Sequence, residues 1–340
     1  MEKKKVTVLD VAKKAGVSPG TVSRTLNNIG YIKDETREKI LEVVKEMNYI
    51  PNRAGRALKT TKTGLIVLAI PDTSNAIYFG MIEAVNECAK KRGWSMVLYY
   101  TEGKLEGELK AVRMLQENLV DGLFLINFSY ADDLRAAIDS CYPAPIVLCG
   151  MCNSPWARNE ENTFDTVSID VYKGIYDSTT HFIKKGHKRI GYLAGESGTT
   201  VYAQRYDAFC QALRDNGIEY RDEYVFWRDY TENNGYEAAK QVFFMEERPT
   251  AIVASNDLQA IGFWKACKDY RIKVPQEIEL CGMDNLDTCD IIQMSSIRMW
   301  EDAVGKAGAE MVLDRLEGAE SEQHRDVVFR PTLILRDGNK

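Results

Sequence analysis

Apolar residues recur along this chain in two rhythms. As far as Pro51 they fall three and four apart: Leu9, Val11, Ala12 and Ala15, then Val22 and Leu26, then Ile40, Val43, Val44 and Met47. That spacing predicts three short amphipathic helices. From Gly64 the rhythm becomes continuous apolar runs, GLIVLAIPD, SMVLYYT, DGLFLINF and APIVLCG, separated by segments with helical spacing such as Ile82, Val85 and Ala89. The alternation starts again with VSIDV, RIGYLAG, YVFWRD, AIVASND and IELCGMDN. Uninterrupted apolar strands between amphipathic helices predict parallel sheets covered on both faces, here two doubly wound α/β halves in tandem. A helix over Glu301 to Leu316 and a strand pair ending FRPTLILRD close the chain.

The first helices carry their own punctuation. Thr7 suits an N-cap, Gly16 a tight turn with Val17 packing the corner, and Ser18-Pro19 an N-cap followed by proline at the first helical position. This is helix-turn-helix spacing. The face opposite Val22 and Leu26 presents Gly20, Thr21, Ser23, Arg24 and Asn27, groups that suit phosphate oxygens and base edges. A small three-helix module with a polar outer face would read the same way. Asp34 suits a cap for the third helix, and Pro51 ends the module. A basic segment, Arg53 to Lys59, follows, too short for a stable lone helix, and then a linker, Thr60 to Thr63.

Charge sharpens this division. Residues 1–63 hold 14 Lys and Arg against 7 Asp and Glu, while the whole chain of 340 residues has a net charge of −6. A basic head on an acidic body reads as a protein that meets nucleic acid at one end only. No signal peptide and no apolar run of membrane-spanning length is visible, so a soluble, cytoplasmic protein without membrane partners is expected. The eight cysteines are dispersed, mostly within apolar strands and helices. Cys149-Gly150-Met151-Cys152 forms C-x-x-C, yet it lacks a second pair for metal and ends a strand rather than opening a helix, so structural thiols are expected, and no metal or cofactor. No G-x-x-x-x-G-K-[ST], G-x-G-x-x-G or G-x-S-x-G string occurs, which argues against an enzyme.

Ligands of doubly wound sheets sit beyond the carboxyl ends of strands. Those ends supply Asp72, Asn75 and Tyr78 after the first strand, then Asp229-Tyr230, Asn256-Asp257 and Asp284-Asn285, with Arg205 on the helix after Gly195. Carboxylates, amides, one guanidinium and flanking aromatics suit a small polar ligand with many hydroxyls. For Asp257 a helix N-cap is the plainer reading, and for Asp72 and Asn75 the cap and the ligand contact read equally well. Tyr78 and Tyr230 read as well as core or dimer-interface aromatics.

DVAKKAGVSPGTVSRTLN together with NYIPNRAGRALKTTKT resembles the head and hinge of the LacI/GalR family of ligand-controlled transcription regulators, and the resemblance runs over essentially the whole chain. It implies an α/β protein with a helix-turn-helix head (1–50), a hinge helix and linker (51–63) and a two-lobed core resembling type I periplasmic binding proteins (64–340). The boundaries expected are an N-lobe of about 64–165 plus 295–325 and a C-lobe of about 166–294 plus 326–340, crossed three times, with the last helix returning to the first lobe.

By the resemblance, Arg24 reads guanine, Thr21 and Ser23 hold phosphates, and Pro19 and Gly20 occupy base-reading positions with small side chains. Thr7, Ser18, Asn27, Tyr49, Asn52 and Arg56 join the DNA-facing set, and Leu58 matches a leucine wedged into the minor groove. Arg205 falls where members clamp the ligand, Asp284 and Asn256 where they contact it, Tyr230 where they stack an aromatic and Tyr78 near first-loop contacts. Cys149-Gly150 replaces a polar ligand contact, Trp156 has no counterpart, and Thr199 and Val201 lack the positive charge associated with the purine-binding branch. The expectation is therefore a repressor acting as a homodimer on a pseudo-palindromic double-stranded operator under a sugar-like effector. The dimer is expected because helix-turn-helix sites are two-fold and no terminal heptad segment is present to build a tetramer. A catabolite-control regulator with a phosphorylated carrier protein as its second partner is the alternative.

Overall fold

The computed structural model describes residues 6–26, 30–50, 62–127, 129–151, 156, 162–195, 200–318 and 323–336. They form two compact units, and the chain divides between them at Thr63 and Gly64. The basic segment expected as a hinge, with Asn52, Arg56 and Leu58, lies outside the described residues, as does Asn27.

The small unit is built of α1 (Val8–Ala15), α2 (Pro19–Leu26) and α3 (Asp34–Glu46). Thr7 and Asp10 form a reciprocal capping box at the start of α1: Asp10 N–H donates to Thr7 Oγ1 at 3.4 Å and Thr7 N–H to Asp10 Oδ2 at 2.9 Å. Gly16, at φ 69°, closes the helix in the left-handed region. Ser18 Oγ accepts from the N–H of Thr21 at 3.1 Å, so Pro19 opens α2 behind a genuine cap. Val11, Ala12, Ala15, Val22, Ile40 and Val43 form the core, with Val17, Leu26, Val44, Met47 and Tyr49 packed around it. Two expectations fail here. Leu9 is 63% exposed, because it lies one position off the face carrying Val11 and Ala15. Asp34 is the first residue of α3 rather than its cap; Lys33 holds the cap position with no side-chain bond, so Asp34 acts through its charge beside the helix dipole.

Among the described residues, the large unit holds two six-stranded sheets. The first contains β1 (Leu65–Ile70), β2 (Ser95–Tyr100), β3 (Gly122–Ile126), β4 (Ile146–Met151), β5 (Asp165–Ile169) and β11 (Asp326–Phe329), in the order β11-β5-β4-β3-β1-β2, parallel throughout. The second contains β6 (Ile190–Ala194), β7 (Val225–Trp227), β8 (Ala251–Ala254), β9 (Glu279–Asp284), β10 (Ser295–Arg298) and β12 (Thr332–Ile334), in the order β12-β10-β9-β8-β6-β7, with only β12 antiparallel. The expected lobe boundaries need correcting at all three crossings. β5 belongs to the first sheet and β10 to the second, and β11 and β12, read as a strand pair, fall in different sheets. A buried parallel strand is apolar on both faces, so nothing in its pattern says which sheet it joins.

Helix α12 (Glu301–Leu316) does return to the first sheet and packs against α4 (Ile77–Lys91). The close approach depends on glycine: a Cβ on Gly308 would stand 2.3 Å from the Phe124 ring. At the first sheet's edge, the fully buried Asp165 accepts from Arg315 Nε at 2.7 Å and from the Arg325 backbone N–H at 2.8 Å, tying α12 and β11 to β5. Burial pushes its carboxyl up, but the hydrogen bonds and charges of Arg315 and Arg325 outweigh this and hold it below the ordinary value. A carboxylate depressed in the fold contributes stability above its unfolded value of about 3.9, and that contribution is lost as pH falls through the lower folded value. Asp165→Ala leaves two guanidinium groups without their buried partner and should destabilise the core by about 3–5 kcal/mol in urea unfolding at neutral pH. A loss below about 1 kcal/mol would mean that the cluster is solvated and adds little.

Candidate functional site

The head presents α2 outward. Gly20 and Arg24 are exposed, Ser23 is half-buried, and Val22 and Thr25 face the core. Several residues expected to meet DNA are also structural. Thr7 is bound into its capping box, and the Ser18 and Thr21 hydroxyls lie 2.9 Å apart at the start of α2. Such hydroxyls can still donate to a phosphate oxygen at a helix N-terminus. Tyr49 is half-buried against the head's core.

In the core, the carboxyl ends of the two sheets bring the expected effector residues together. Asn75 Nδ2 reaches Asp284 Oδ2 at 3.4 Å, joining the loop after β1 to the end of β9. The other end of that amide accepts from the Ile77 N–H at 3.1 Å, starting α4. Ile77 and Tyr130, both from the first-sheet side, pack against the apolar cluster of the second sheet. The Asp72 carboxylate holds the N–H and hydroxyl of Ser74 at 2.7 and 3.0 Å, fixing the loop, and its charge reaches Tyr78.

Arg205, on α8 (Thr200–Asp215), is anchored by one guanidinium nitrogen donating to the Ser255 carbonyl at 2.8 Å. Its Cζ lies 5.6 Å from the centre of the Tyr230 ring. That ring rests on Gly195, where a Cβ would stand 2.1 Å away. Arg205 Nε and the Tyr230 hydroxyl are buried without a well-formed hydrogen bond among the described residues, while the guanidinium lies close enough to pull the Tyr230 phenol down against the rise that burial causes. Each such group costs about 1–3 kcal/mol unless a ligand or water completes it.

Asp284 is 5% exposed, with φ at 122°. Burial, with the neighbouring Asp257 adding, holds its carboxyl well above the usual carboxylate range despite the pull of Arg205. A protonated carboxyl can donate as well as accept. Burial first and Asp284 second raise the Tyr78 phenol too, so it stays neutral. The site can therefore offer a cation, neutral donors and acceptors, and aromatic faces, which is the equipment for binding a small polar molecule.

Two readings of the strand ends change. Asn256, not Asp257, caps α10 (Asp257–Asp269), its side chain accepting from the Gln259 N–H at 3.0 Å. Asp257 is instead wholly buried, accepting from Ser296 Oγ at 2.6 Å and the Leu286 N–H at 2.8 Å, and so supports the turn beyond Asp284. Glu301 went unnoticed in the sequence. Its Oε2 is buried without a partner among the described residues, its charge reaches Asp284, and its Cγ lies 3.1 Å from where a Cβ on Gly80 would be. The available signal was its place just past β10, a strand end like the others. Trp156 is 8% exposed and meets Tyr130 edge-on at 5.2 Å, backing the first-sheet wall. Burial pushes the Cys149 thiol up to about 12, which leaves it inert at neutral pH, while Cys152 lies outside the described residues. Among the described residues no group of three or more His, Cys, Asp or Glu side chains could hold a metal, and no helix is long and apolar enough to cross a membrane.

Comparison with known proteins agrees with this division. Residues 7–52 match the family model "Bacterial regulatory proteins, lacI family", and residues 179–338 match a "Periplasmic binding protein-like domain". The HTH-type transcriptional repressor PurR of Erwinia tasmaniensis is 30% identical over 333 residues, covering 97% of this chain and 96% of its own. Among solved structures, the Lac repressor dimer bound to operator and the anti-inducer ONPF superposes with a TM-score of 0.85 at 24% identity, over 98% of this chain and 99% of its own. The complex of the transcriptional regulator CelR with cellobiose gives 0.71 at 24% identity, over 98% and 100%.

Gly195→Ala tests the geometry of the aromatic wall. The methyl group should displace Tyr230 at a cost of about 1–3 kcal/mol and weaken binding of any ligand of the cleft. Calorimetry with a ligand of the wild-type protein checks this, and unchanged affinity would remove Tyr230 from the site.

Proposed function

The chain belongs to the LacI family of bacterial regulatory proteins, a DNA-binding transcriptional repressor with a ligand-binding core, and from that premise we propose that a small neutral polyhydroxylated effector, a sugar or sugar derivative, binds between the two sheets and sets operator affinity. The observation that carries this reading is the set around Arg205: an anchored guanidinium with a buried unpaired Nε, the unpaired Tyr230 hydroxyl, and Asp284 facing Asn75 across the cleft. A sugar supplies hydroxyls to the polar atoms and a C–H face to an aromatic ring. Thermal-shift screening against sugars and nucleobases tests it, because both kinds of flat face stack on tyrosine. A sugar should raise the melting temperature in wild type and fail to do so in Arg205→Ala; stabilisation by nucleobases alone would replace the sugar.

In the head we assign base readout to the exposed Arg24, worth about 1–3 kcal/mol of discrimination if bidentate to guanine. Thr21 and Ser23 hold phosphates, and Leu58, in the hinge, wedges the minor groove. Effector and operator binding are coupled by roughly 1–3 kcal/mol. The protein acts as a cytoplasmic homodimer on a pseudo-palindrome. Edge strand β2 supports pairing: Leu98 and Tyr100 are 43% and 48% exposed, with Phe79 of α4 at 59%.

Two measurements check these assignments. Arg24→Ala should flatten sequence preference by roughly 10- to 100-fold while leaving binding to random DNA largely intact; equal losses on both would move Arg24 to the phosphates. Sedimentation at micromolar concentration should give a dimer, and a free monomer with full operator affinity would refute two-fold binding.

A further inference from the structure

We infer that Asn256 and Gln259, one turn apart at the start of α10, are positioning residues that clamp the backbone of residues 228–230 and so set Tyr230 in place; the inference rests on reading the cleft as the effector site. Asn256 spends both ends of its amide inside the protein. Its Oδ1 accepts from the Gln259 N–H at 3.0 Å, and its Nδ2 donates to the Tyr230 carbonyl at 3.0 Å. Gln259 Nε2 donates to the carbonyls of Ala194 at 2.9 Å, Asp229 at 3.1 Å and Arg228 at 3.4 Å. Two amides on one rigid helix thus hold three consecutive carbonyls of the segment after β7, and the same Gln259 nitrogen holds the end of β6.

The segment needs such a clamp. β7 has three residues and pairs with β6 only from Val225 to Trp227, so the ladder ends before Tyr230. Tyr230 must nevertheless hold its ring against Gly195 and within reach of Arg205, and a binding wall has to be fixed to about half an ångström to be useful. Both amides are nearly inaccessible, at 3% and 1% exposure; Asn256 has both polar atoms matched within the protein, while Gln259 Oε1 is buried without a hydrogen-bond partner among the described residues. Burial alone would accept a hydrocarbon at position 259. The convergence of carbonyls on Nε2 accounts for an amide there, and it fixes the orientation of that amide, since the reverse would set oxygen against oxygen.

The experiment uses the full chain with Gln259→Met, which keeps length and removes the donor, and Asn256→Asp, which keeps the helix cap and removes the donor. Hydrogen exchange, which needs no ligand, should rise at least tenfold in the segment 225–231 in either variant while β8 and β9 exchange as in wild type. Calorimetry with the best-binding member of a panel of glucose, ribose, cellobiose, adenine and guanine supplies the second arm. Each variant should weaken binding at least tenfold, and Gln259→Met added to Tyr230→Ala should cost no more than Tyr230→Ala alone, because the clamp acts through that ring. Additive losses would make the amides direct ligand contacts, and unchanged exchange in 225–231 would make the clamp idle; either overturns the inference. Full binding by Tyr230→Ala would instead overturn the reading of the cleft, with the exchange arm still deciding the clamp.

Discussion

A buried polar atom has to find a partner, and in this core that constraint separates the structural groups from those left for a ligand. Asp165 is answered by two arginines, and Asp257 by Ser296 and a backbone N–H. At the facing strand ends the accounts do not close: Arg205 Nε, the Tyr230 hydroxyl and Glu301 Oε2 are buried and unmatched among the described residues. Single unmatched atoms also occur on Ser168, Thr180, Gln204, Gln259 and Arg325, so it is the gathering of Arg205, Tyr230 and Glu301 at the facing strand ends that marks the site; parallel strands are apolar along their length and polar only where they stop. The proposed effector completes what the fold leaves open there.

The same accounting redistributes roles among residues that look alike in sequence. Asn75, Asn256 and Asp72 follow strands and Asp284 ends one. Asp72 closes its own loop, Asn256 caps a helix and holds the Tyr230 carbonyl, and only Asn75 and Asp284 face one another across the cleft. A residue two steps removed from a ligand can then govern its binding as strongly as one that touches it.

Much of this was legible in the sequence, and the reason is local. Helix caps, the Gly16 turn and the apolar stripes depend on neighbours within a few residues, so the head was readable, Leu9 and Asp34 apart. Continuous apolar runs announced parallel sheets, and strand ends announced where Arg205, Tyr230 and Asp284 would stand. Sheet membership at β5, β10 and β11 was hidden because pairing partners lie far along the chain; β11 pairs with β5 across the whole second lobe. Glu301 and Gln259 were missed for the same reason, since a carboxylate or an amide on a helix reads as solvated until the fold buries it.

The charge division seen at the outset gives the two units different tasks, and their coupling is the central claim. Titrating operator DNA with the intact protein, with and without a saturating effector of the cleft, tests it most directly. The account predicts a shift in operator affinity of roughly 5- to 150-fold, with a reciprocal shift in effector affinity when operator is bound. Effector binding that leaves operator affinity unchanged would contradict it.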